Sequence, residues 1–270
     1  MSASADWLRP DWNAPSVGAL MTTRAGGCSA APFDSMNLHA GGAYSPEAVA
    51  RNRAVLAEAI GAMPVFLKQV HGTAVVRLHA ADGAGGAAVH TADASVTTER
   101  GIACAIQIAD CLPVLFAAPA GRAVGAAHAG WRGLAGGVLE ATVAAVCEAA
   151  SCDPADLQAW IGAGIGPTRF QVGADVVEAF GGATVGSHPS VSEAGAWASR
   201  PSAACFVPEQ PGKWLANLPL LARERLHAAG VADVGGGTWC TVSDASRFFS
   251  FRRDGVTGRM AAVVWIERGG

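Results

Sequence analysis

The stretch ADCLPVLFAAPAGRAVGAAHAGWRG, residues 109–133, decides the fold around it. It contains two apolar runs, Leu112–Ala118 and Ala123–Ala127, with Pro119–Arg122 between them. The connecting segment has the Pro and Gly of a turn, and two apolar runs joined in this way predict a β-hairpin. We therefore expect two neighbouring antiparallel strands at this point of the chain.

Polar residues lie where these apolar runs end. Folding about the turn places Cys111 roughly across from His128 to Gly130, and cross-strand neighbours approach to about 5 Å, so side chains there can share a ligand. A third polar residue, His71, ends the apolar run Pro64–Val70 and precedes a Gly. Two imidazoles and one thiolate suit tetrahedral Zn²⁺. Three protein ligands leave the fourth position for water or substrate, which is typical of a catalytic zinc site.

The same residues permit a different mechanism. Cys111 and His128 could form a nucleophile–base pair, with His71 or Asp110 orienting the imidazole. That arrangement indicates a cysteine hydrolase or deamidase. A metal-bound thiolate is a poor nucleophile, so the two interpretations exclude each other at any one moment, and the metal content decides between them.

Strands and helices alternate irregularly along the rest of the chain. Further strand-like runs are Ala74–Leu78, Ile102–Ile108, Trp160–Ile165 and Met260–Ile266. Helices are predicted from Ser45-Pro46 through Ala59, at Asp153-Pro154, over Gly136–Ala150 and over Pro219–Ala229. Without a strict βαβ alternation, this order favours a mixed, layered α+β fold over a Rossmann sheet. We expect a single domain over residues 1–270, with a loosely ordered segment at 1–18.

Composition narrows the classes of function. Charged residues make up 15% of the chain and the formal net charge is −3, which argues against a nucleic-acid partner. No apolar run reaches the roughly 18–20 residues of a membrane span. The start MSASADWLRPDW lacks a secretory signal, so we expect a cytoplasmic protein. The seven cysteines include no CxxC pair, which argues against a disulfide framework or a four-thiolate zinc site.

Several blocks of the sequence resemble one known family. They are TTRAGGCS (22–29), SMNL (35–38), ARNR (50–53), KQVHG (68–72), TADASVT (91–97), ADCLPVLF (109–116), AAHAGWRG (126–133) and FSFRRDGVTGRM (249–260). Together they resemble the signature blocks of the YfiH-type family, long labelled laccase-domain or polyphenol oxidase proteins. The blocks run from about residue 20 to the end of the chain.

The resemblance implies a single domain with α/β/β/α layers and zinc held by His71, Cys111 and His128. It also implies purine nucleoside phosphorylase activity, in which inosine, adenosine or methylthioadenosine reacts with phosphate to give the base and a pentose 1-phosphate. Adenosine deamination and the editing of cell-wall precursors are further activities that the family suggests. The expected partners are purine nucleosides and phosphate, and the expected assembly is a monomer or a small homo-oligomer.

Phosphorolysis requires cationic groups for phosphate, and the planar guanidinium of arginine suits an oxyanion. Arg53, in the ARNR block, is the first candidate for a catalytic role. Asp110 is a second, either as a base or as the partner that orients a ligand histidine. It could also merely accept backbone N–H groups at a strand start. The remaining candidates for substrate or phosphate binding are Arg24, Asn37, Lys68, Gln69 and Arg132.

The histidine content argues against a multicopper oxidase. Reduction of O₂ at several coppers requires many histidines, commonly in His-x-His pairs, whereas this chain has seven His and no such pair. A polyphenol oxidase linked to copper therefore stays an alternative only. Cu²⁺ could still bind the same three ligands in vitro, since it binds nitrogen and sulfur donors more tightly than zinc.

The chain departs from the family pattern at three places. Phe170-Gln171 stands where relatives usually have Tyr-Glu, and Asn217-Leu218 where they have Asp-Leu. Gly41-Gly42-Ala43 stands where an acidic residue is usual. These changes could alter contacts to the ribose or purine, or they could be structural.

Overall fold

Two β-sheets of mixed strand direction form the centre of the fold, in a computed structural model that describes residues 6–41, 45–84, 89–181 and 204–267. The strands within these ranges are β1 (Val17–Met21), β2 (Met63–Phe66), β3 (Val75–Arg77), β4 (Ala94–Thr97), β5 (Ile102–Ile108), β6 (Leu112–Ala117), β7 (Val124–Ala129), β8 (Gln158–Ile161), β9 (Gln171–Val172), β10 (Phe206–Gln210), β11 (Lys213–Ala216), β12 (Asp233–Gly236) and β13 (Met260–Ile266). The helices are α1 (Pro46–Ile60), α2 (Trp131–Gly136), α3 (Val138–Ala150), α4 (Ala174–Ala179), α5 (Leu218–Ala228) and α6 (Phe251–Asp254). Single 3-10 turns lie at Ala80–Gly83, Pro119–Gly121 and Pro154–Asp156.

The first sheet has four strands in the order β1-β13-β5-β2, and the second has six in the order β12-β8-β6-β7-β4-β3. Both contain parallel and antiparallel pairs: β2 runs parallel to β5, while β13 runs antiparallel to β5. A small third sheet has the order β10-β11-β9. This mixed pairing confirms the α+β class.

The two larger sheets pack face to face. Successive side chains of a strand point to opposite faces of its sheet, and these strands have apolar side chains on both faces. In β5, Ala103 and Ala105 belong to the cluster beneath α1, together with Leu56. The intervening Cys104 and Ile106 belong to the cluster between the sheets, which also contains Leu115 of β6 and Val124 of β7. Helices α3 and α5 pack on the far side, where Phe116 joins Val146 and Leu221. The layers are therefore α/β/β/α, as predicted.

The hairpin predicted over residues 109–133 is confirmed. Strands β6 and β7 pair antiparallel, with Leu112 opposite Ala129 and Pro113 opposite His128. This register places Cys111, one residue before β6, beside the end of β7. The turn between the strands contains the 3-10 segment Pro119–Gly121.

The predicted helix boundaries hold with one exception. Ser45 caps α1, and its hydroxyl accepts a hydrogen bond from the Ala48 N–H at 3.2 Å. The helix predicted over Gly136–Ala150 begins two residues later, at Val138, because Gly136 ends α2 and Gly137, whose φ of 99° is left-handed, separates the two helices. Among the described residues, no helix has the length and apolar character needed to cross a membrane.

The expectation of a loosely ordered segment at 1–18 is wrong for the part that the structure describes. Leu8 forms an antiparallel bridge with Met21, and β1 already begins at Val17. Trp7 and Leu8 are 5% and 6% exposed, because the indole packs into the cluster beneath α1 and the leucine into the cluster between the sheets. Apolar burial orders this segment, although its sequence has no regular periodicity.

Candidate active site

The three predicted metal ligands converge on one point. His71 follows β2, Cys111 directly precedes β6, and His128 lies within β7. The Nε2 atom of His71 lies 3.8 Å from the Cys111 Sγ atom, and one ligand atom from each of the three residues lies within 4.8 Å of the others. His128 is buried, Cys111 is half-buried and His71 is exposed. The cluster is therefore open to solvent on the side of His71.

The donor set suits a zinc ion, and the spacing of one donor pair matches it. Tetrahedral zinc with ordinary bond lengths places its sulfur and nitrogen donors about 3.6 Å apart, close to the 3.8 Å between Cys111 and His71. The backbone leaves room for these donors at Gly130. A Cβ atom at that position would lie 2.9 Å from both the Cys111 Sγ and the His71 Cδ2 atoms.

A buried carboxylate that the sequence analysis did not nominate holds two of the ligands. Asp93 is 0% exposed, and its Oδ1 atom accepts hydrogen bonds from His128 Nδ1 at 2.9 Å and from the His71 N–H at 2.8 Å. Its Oδ2 atom accepts from the N–H groups of Val70 at 3.1 Å and Gly72 at 2.7 Å. With Nδ1 committed to Asp93, Nε2 is the nitrogen of His128 that can bind a metal.

Asp110 does not orient a histidine, contrary to one of the expectations for it. Its Oδ1 atom accepts from the Thr241 hydroxyl at 2.6 Å, and its Oδ2 atom accepts from the Arg252 N–H at 2.6 Å. Through these two hydrogen bonds, Asp110 holds the C-terminal part of the chain next to Cys111. This matches the expectation that Asp110 accepts backbone N–H groups, although the residue also lines the cavity described below.

The ligands form a thiolate–imidazolium pair at neutral pH when no metal is bound. Burial opposes ionisation of Cys111, yet hydrogen bonds from His128 and His71 lower the pKa of the thiol to about 6. Burial likewise disfavours the imidazolium of His128, yet Asp93 and Cys111 raise its pKa to about 9. Burial of Asp93 is outweighed by its bonds to His128 and the backbone, so the pKa of this carboxyl stays below its ordinary value.

A cavity of about 780 Å³ opens beside the three ligands. Its lining combines four cationic side chains with four aromatic ones and several polar groups. The cations are Arg53, Lys68, Arg252 and Arg259, and the aromatic residues are Phe66, Trp131, Phe170 and Phe251. Cations and aromatic faces together suit a ligand with an anionic part and a flat ring.

Arg53 and Lys68, two of the candidates for anion binding, lie in the cavity wall. The Arg53 guanidinium stacks 4.0 Å from the centre of the Phe66 ring, and its Nε atom donates to the Leu38 carbonyl at 3.0 Å. Lys68 lines the cavity and is exposed. Gln69 also lines the cavity, but its amide makes two hydrogen bonds to the backbone of Gln107, at 2.9 and 2.8 Å. Gln69 therefore has a structural task as well.

Three other predicted binding residues lie outside the described lining. Arg24 donates to the carbonyls of Asp34 and Ala245, so its guanidinium clamps two loops. Asn37 is 0% exposed, and its side-chain oxygen accepts from the N–H groups of His39 and Arg259. Arg132 is exposed and stacks 4.3 Å from the ring centre of its neighbour Trp131. All three side chains are thus placed away from the described lining of the cavity.

The cavity lining also contains residues that the sequence analysis did not nominate, among them two arginines and a histidine. Arg252 and Arg259 belong to the FSFRRDGVTGRM block, which was noted without assigning a role to its arginines. Arg252 lies 5.4 Å from the Phe170 ring centre, which joins two parts of the lining. His39 also lines the cavity, and its Nδ1 atom lies 3.2 Å from Gln107 Oε1.

The departures from the family pattern have different surroundings. Phe170 is buried at the cavity, so the substitution there changes the lining. Gln171 points to the small sheet, where its amide donates to Glu209 Oε2 at 2.8 Å. Asn217 caps α5 and accepts from the Leu220 N–H at 3.0 Å. Gly42 and Ala43 lie outside the described residues.

Comparison with known proteins gives one family match and several full-length relatives. The model of the family described as "Multi-copper polyphenol oxidoreductase laccase" matches residues 18–267. A purine nucleoside phosphorylase of Pseudomonas aeruginosa is 46% identical over 97% of this chain and 98% of its own length. Purine nucleoside phosphorylase YfiH of Escherichia coli is 42% identical over 95% of this chain and 97% of its own.

Solved structures share the same fold. A Neisseria meningitidis protein is 44% identical and superposes with a TM-score of 0.85, covering 97% of this chain and 100% of its own. YlmD of Geobacillus stearothermophilus is 32% identical, with a TM-score of 0.84 and coverage of 97% and 96%. These likenesses extend over the sheets, the helices and the segments that carry the three ligands.

Proposed function

We propose that this chain, which belongs to the family described as multi-copper polyphenol oxidoreductase laccase, is a zinc-dependent purine nucleoside phosphorylase. One observation carries the proposal: a His–Cys–His donor set with room for a fourth ligand lies beside a cavity lined by cations and aromatic rings. Relatives named purine nucleoside phosphorylase, at 42–46% identity, support the same activity.

His71, Cys111 and His128 would hold the zinc ion. When bound, zinc supplies a Lewis acid at the edge of the cavity. The chain's own contribution is to fix the ligands, through Asp93 and the glycine at position 130, and to line the adjacent space. His128 presents a single nitrogen to the metal because Asp93 holds the other.

The parts of the phosphorolysis reaction can be assigned to different residues of the cavity lining. An oxygen of phosphate forms a bond to C1′ of the ribose while the bond from C1′ to the purine nitrogen breaks. The purine leaves with the electron pair and takes up a proton on a ring nitrogen. Arg53, Arg252 and Arg259 provide positive charge for phosphate, and aromatic faces such as Phe170 provide a surface for the base. Inosine, adenosine and methylthioadenosine are the proposed substrates.

Multicopper oxidation is not part of the proposal. Within the described ranges, His71, Cys111 and His128 form the one group of metal-ligand side chains with suitable spacing. A single three-ligand group holds one ion, whereas reduction of O₂ at a multicopper centre needs several. Cu²⁺ can occupy the same ligands in vitro, since its affinity for such donors exceeds that of zinc.

The geometry also favours a second candidate function in the metal-free state. Cys111, His128 and Asp93 stand in the order nucleophile, base and orienting acid, with 2.9 Å between the imidazole and the carboxylate. The Cys111 thiol, with its pKa lowered to about 6, is ionised at neutral pH. The thiolate would attack an amide carbonyl and release an amine, and water would then cleave the thioester. Such a hydrolase or deamidase could act on cell-wall precursors.

The deciding experiment measures metal content together with phosphate-dependent release of hypoxanthine from inosine. About one zinc per chain, with release only in the presence of phosphate, is the expected result. Metal-free protein that releases no base would overturn the phosphorylase and favour the Cys111–His128 hydrolase. Adenosine is tested in parallel, and formation of inosine without phosphate would identify a deaminase activity as well.

Arg53 provides the sharpest test of phosphate binding. Arg53→Gln keeps a polar side chain but removes the charge, and loss of a charged hydrogen bond raises the KM for phosphate by about 10- to 100-fold. Arg122→Gln is the matched control, because Arg122 is exposed in the hairpin turn and outside the described lining. Equal phosphate KM values in the two variants would remove the assignment of Arg53.

A further inference from the structure

We propose that Asp93 is a positioning residue that sets both histidine ligands at once, so that the metal affinity of the site depends on this one carboxylate. The inference rests on the proposed metal site. It deepens that proposal by making one residue that is not itself a ligand responsible for the placement of both histidines. Three features of the described structure carry it: the bond to His128, the bonds to the backbone at His71, and the place of Asp93 in the sheet.

The first feature fixes the imidazole of His128. Asp93 Oδ1 and His128 Nδ1 lie 2.9 Å apart, and the two residues are 0% and 3% exposed. In surroundings from which water is excluded, a charge-assisted hydrogen bond of this kind is strong and short. It holds the ring in one orientation and one tautomer, with Nε2 directed to the metal position.

The second feature fixes the backbone that carries His71. The N–H groups of three consecutive residues, Val70, His71 and Gly72, donate to the same carboxylate at 3.1, 2.8 and 2.7 Å. His71 has a φ of 61°, in the left-handed region that non-glycine residues rarely adopt. Converging N–H groups in such a turn form a concavity that binds anions. The buried carboxylate therefore stabilises the conformation that delivers the exposed His71 ring.

The third feature is the position of Asp93 between the two histidines. It directly precedes β4, whose neighbours in the sheet are β3 and β7. The Asp93 carbonyl accepts from the His128 N–H at 2.7 Å, and the Asp93 N–H donates to the Ala74 carbonyl at 3.1 Å. Backbone and side chain thus tie the His71 segment to the strand of His128. A shift of Asp93 would move both ligands together.

Asp93→Asn tests the inference with little change in volume. The amide has one acceptor oxygen and an NH₂ group that meets N–H donors, so it cannot satisfy all four groups that the carboxylate satisfies. We expect the affinities for Zn²⁺ and Co²⁺ to fall about 10- to 100-fold, as measured by competition with a chromophoric chelator. We also expect the visible spectrum of bound Co²⁺ to change, because the spectrum reports the ligand geometry.

Asp156→Asn is the matched control. The Asp156 carboxylate also accepts a backbone N–H, from Asp153 at 3.1 Å, but in a turn outside the described lining of the cavity. This variant should bind both metals as the wild type does. Thermal unfolding of each metal-free variant separates fold from site. If Asp93→Asn lowers Tm but keeps wild-type metal affinity and Co²⁺ spectrum, Asp93 is only structural and the inference is overturned.

A measurement on the wild-type chain covers the case in which Asp93→Asn does not fold. Nitrogen-15 NMR of the zinc-loaded protein should find His128 protonated on Nδ1 and metal-bound through Nε2. Metal on Nδ1 would overturn the inference, because that atom is the one assigned to Asp93. A wild-type chain that binds neither Zn²⁺ nor Co²⁺ would overturn the proposed zinc site itself, a result distinct from equal affinities in wild type and variant.

Discussion

The protonation states of the proposed ligand side chains predict how the affinity for metal depends on pH. Cys111, whose pKa is lowered to about 6, is a thiolate above pH 6. His128, whose pKa is raised to about 9, stays protonated below pH 9. Near pH 7.5, zinc must therefore displace about one proton from His128. Affinity should rise as pH increases from 6 to 9 and should drop more steeply below 6, where Cys111 also takes up a proton.

Calorimetry checks this prediction. Zinc titrations in two buffers with different ionisation enthalpies should differ by the heat of the proton taken up by the buffer. Identical heats in the two buffers at neutral pH would show that no proton is released, and would contradict the thiolate–imidazolium pair. Repeating the titration with His128→Ala should remove most of the affinity.

The neighbours of a single residue could be predicted where a local sequence pattern, such as that of the hairpin, fixes which residues lie opposite each other. The hairpin register brings Cys111 to His128, and both lie where the sequence predicts. Asp93 was not predictable in this way, because it lies 35 residues from His128 and reaches it only through the pairing of β4 with β7. Asp110 was favoured because it adjoins Cys111 in sequence, yet its carboxylate bonds Thr241 and Arg252 instead.

At the scale of elements, the junction of β7 and α2 gives a test of the space around the ligands. Gly130→Ala would place a methyl group 2.9 Å from the Cys111 Sγ and His71 Cδ2 atoms. We expect this variant to fold but to lose most of its zinc, as measured by metal analysis after dialysis. Gly235→Ala in β12 is the control, since its added Cβ would lie 3.6 Å from the nearest atom, an ordinary contact. Equal zinc in both variants would show that the junction tolerates a side chain.

The start of α5 explains one departure from the family pattern. The side chain of Asn217 accepts the Leu220 N–H, so Asn217→Ala should destabilise the protein by about 1 kcal/mol in denaturant unfolding. Asn217→Asp should be nearly neutral, because Asp caps helices as well as Asn does. Neither variant should alter zinc content. A large loss of activity in Asn217→Asp with unchanged stability would indicate a role in substrate binding instead.

Elements were predictable to the extent that their apolar residues repeat. The continuous apolar runs of β5, β6 and β13 were predicted with their bounds nearly correct, because both faces of these strands are buried. The small sheet was missed, since four of the five residues of β10 are exposed and β9 has only two residues. Pairing between such short, polar strands is set by the surrounding structure.

The ligands join the two main sheets of the molecule. His71 lies on the connection from β2, in the four-stranded sheet, to β3, in the six-stranded one. Cys111 lies on the connection from β5 to β6, which makes the same crossing. A metal held by both residues and by His128, as proposed, would therefore link both connections to one strand.

Removal of the metal should accordingly lower the stability of the whole protein. A ligand that binds only the folded state stabilises it by about 2.7 kcal/mol when its free concentration is 100 times Kd. Calorimetric Tm should therefore fall when a chelator is added to the zinc-loaded wild type. Cys111→Ser should unfold at a Tm that the chelator does not change. The prediction fails if the wild-type Tm is also independent of the chelator.

The layered architecture was predictable from the resemblance and from the mixture of apolar strands and capped helices. The place of each strand within its sheet was not. Strand β13 lies between β1 and β5, although Met260–Ile266 is far from both in sequence. Such long-range pairing follows from burial of the whole sheet, which no local pattern reports.

The central place of β13 has a consequence for how the protein is made. Ribosomes add about 5–20 residues per second, so roughly 10–50 s separate the synthesis of β1 from that of β13. During this interval β1 lacks its partner, and β5 has one unpaired edge. Unpaired apolar edges invite association with other chains. The four-stranded sheet can therefore close only after β13 has left the ribosome, and until then its unpaired edges are open to pairing with other chains.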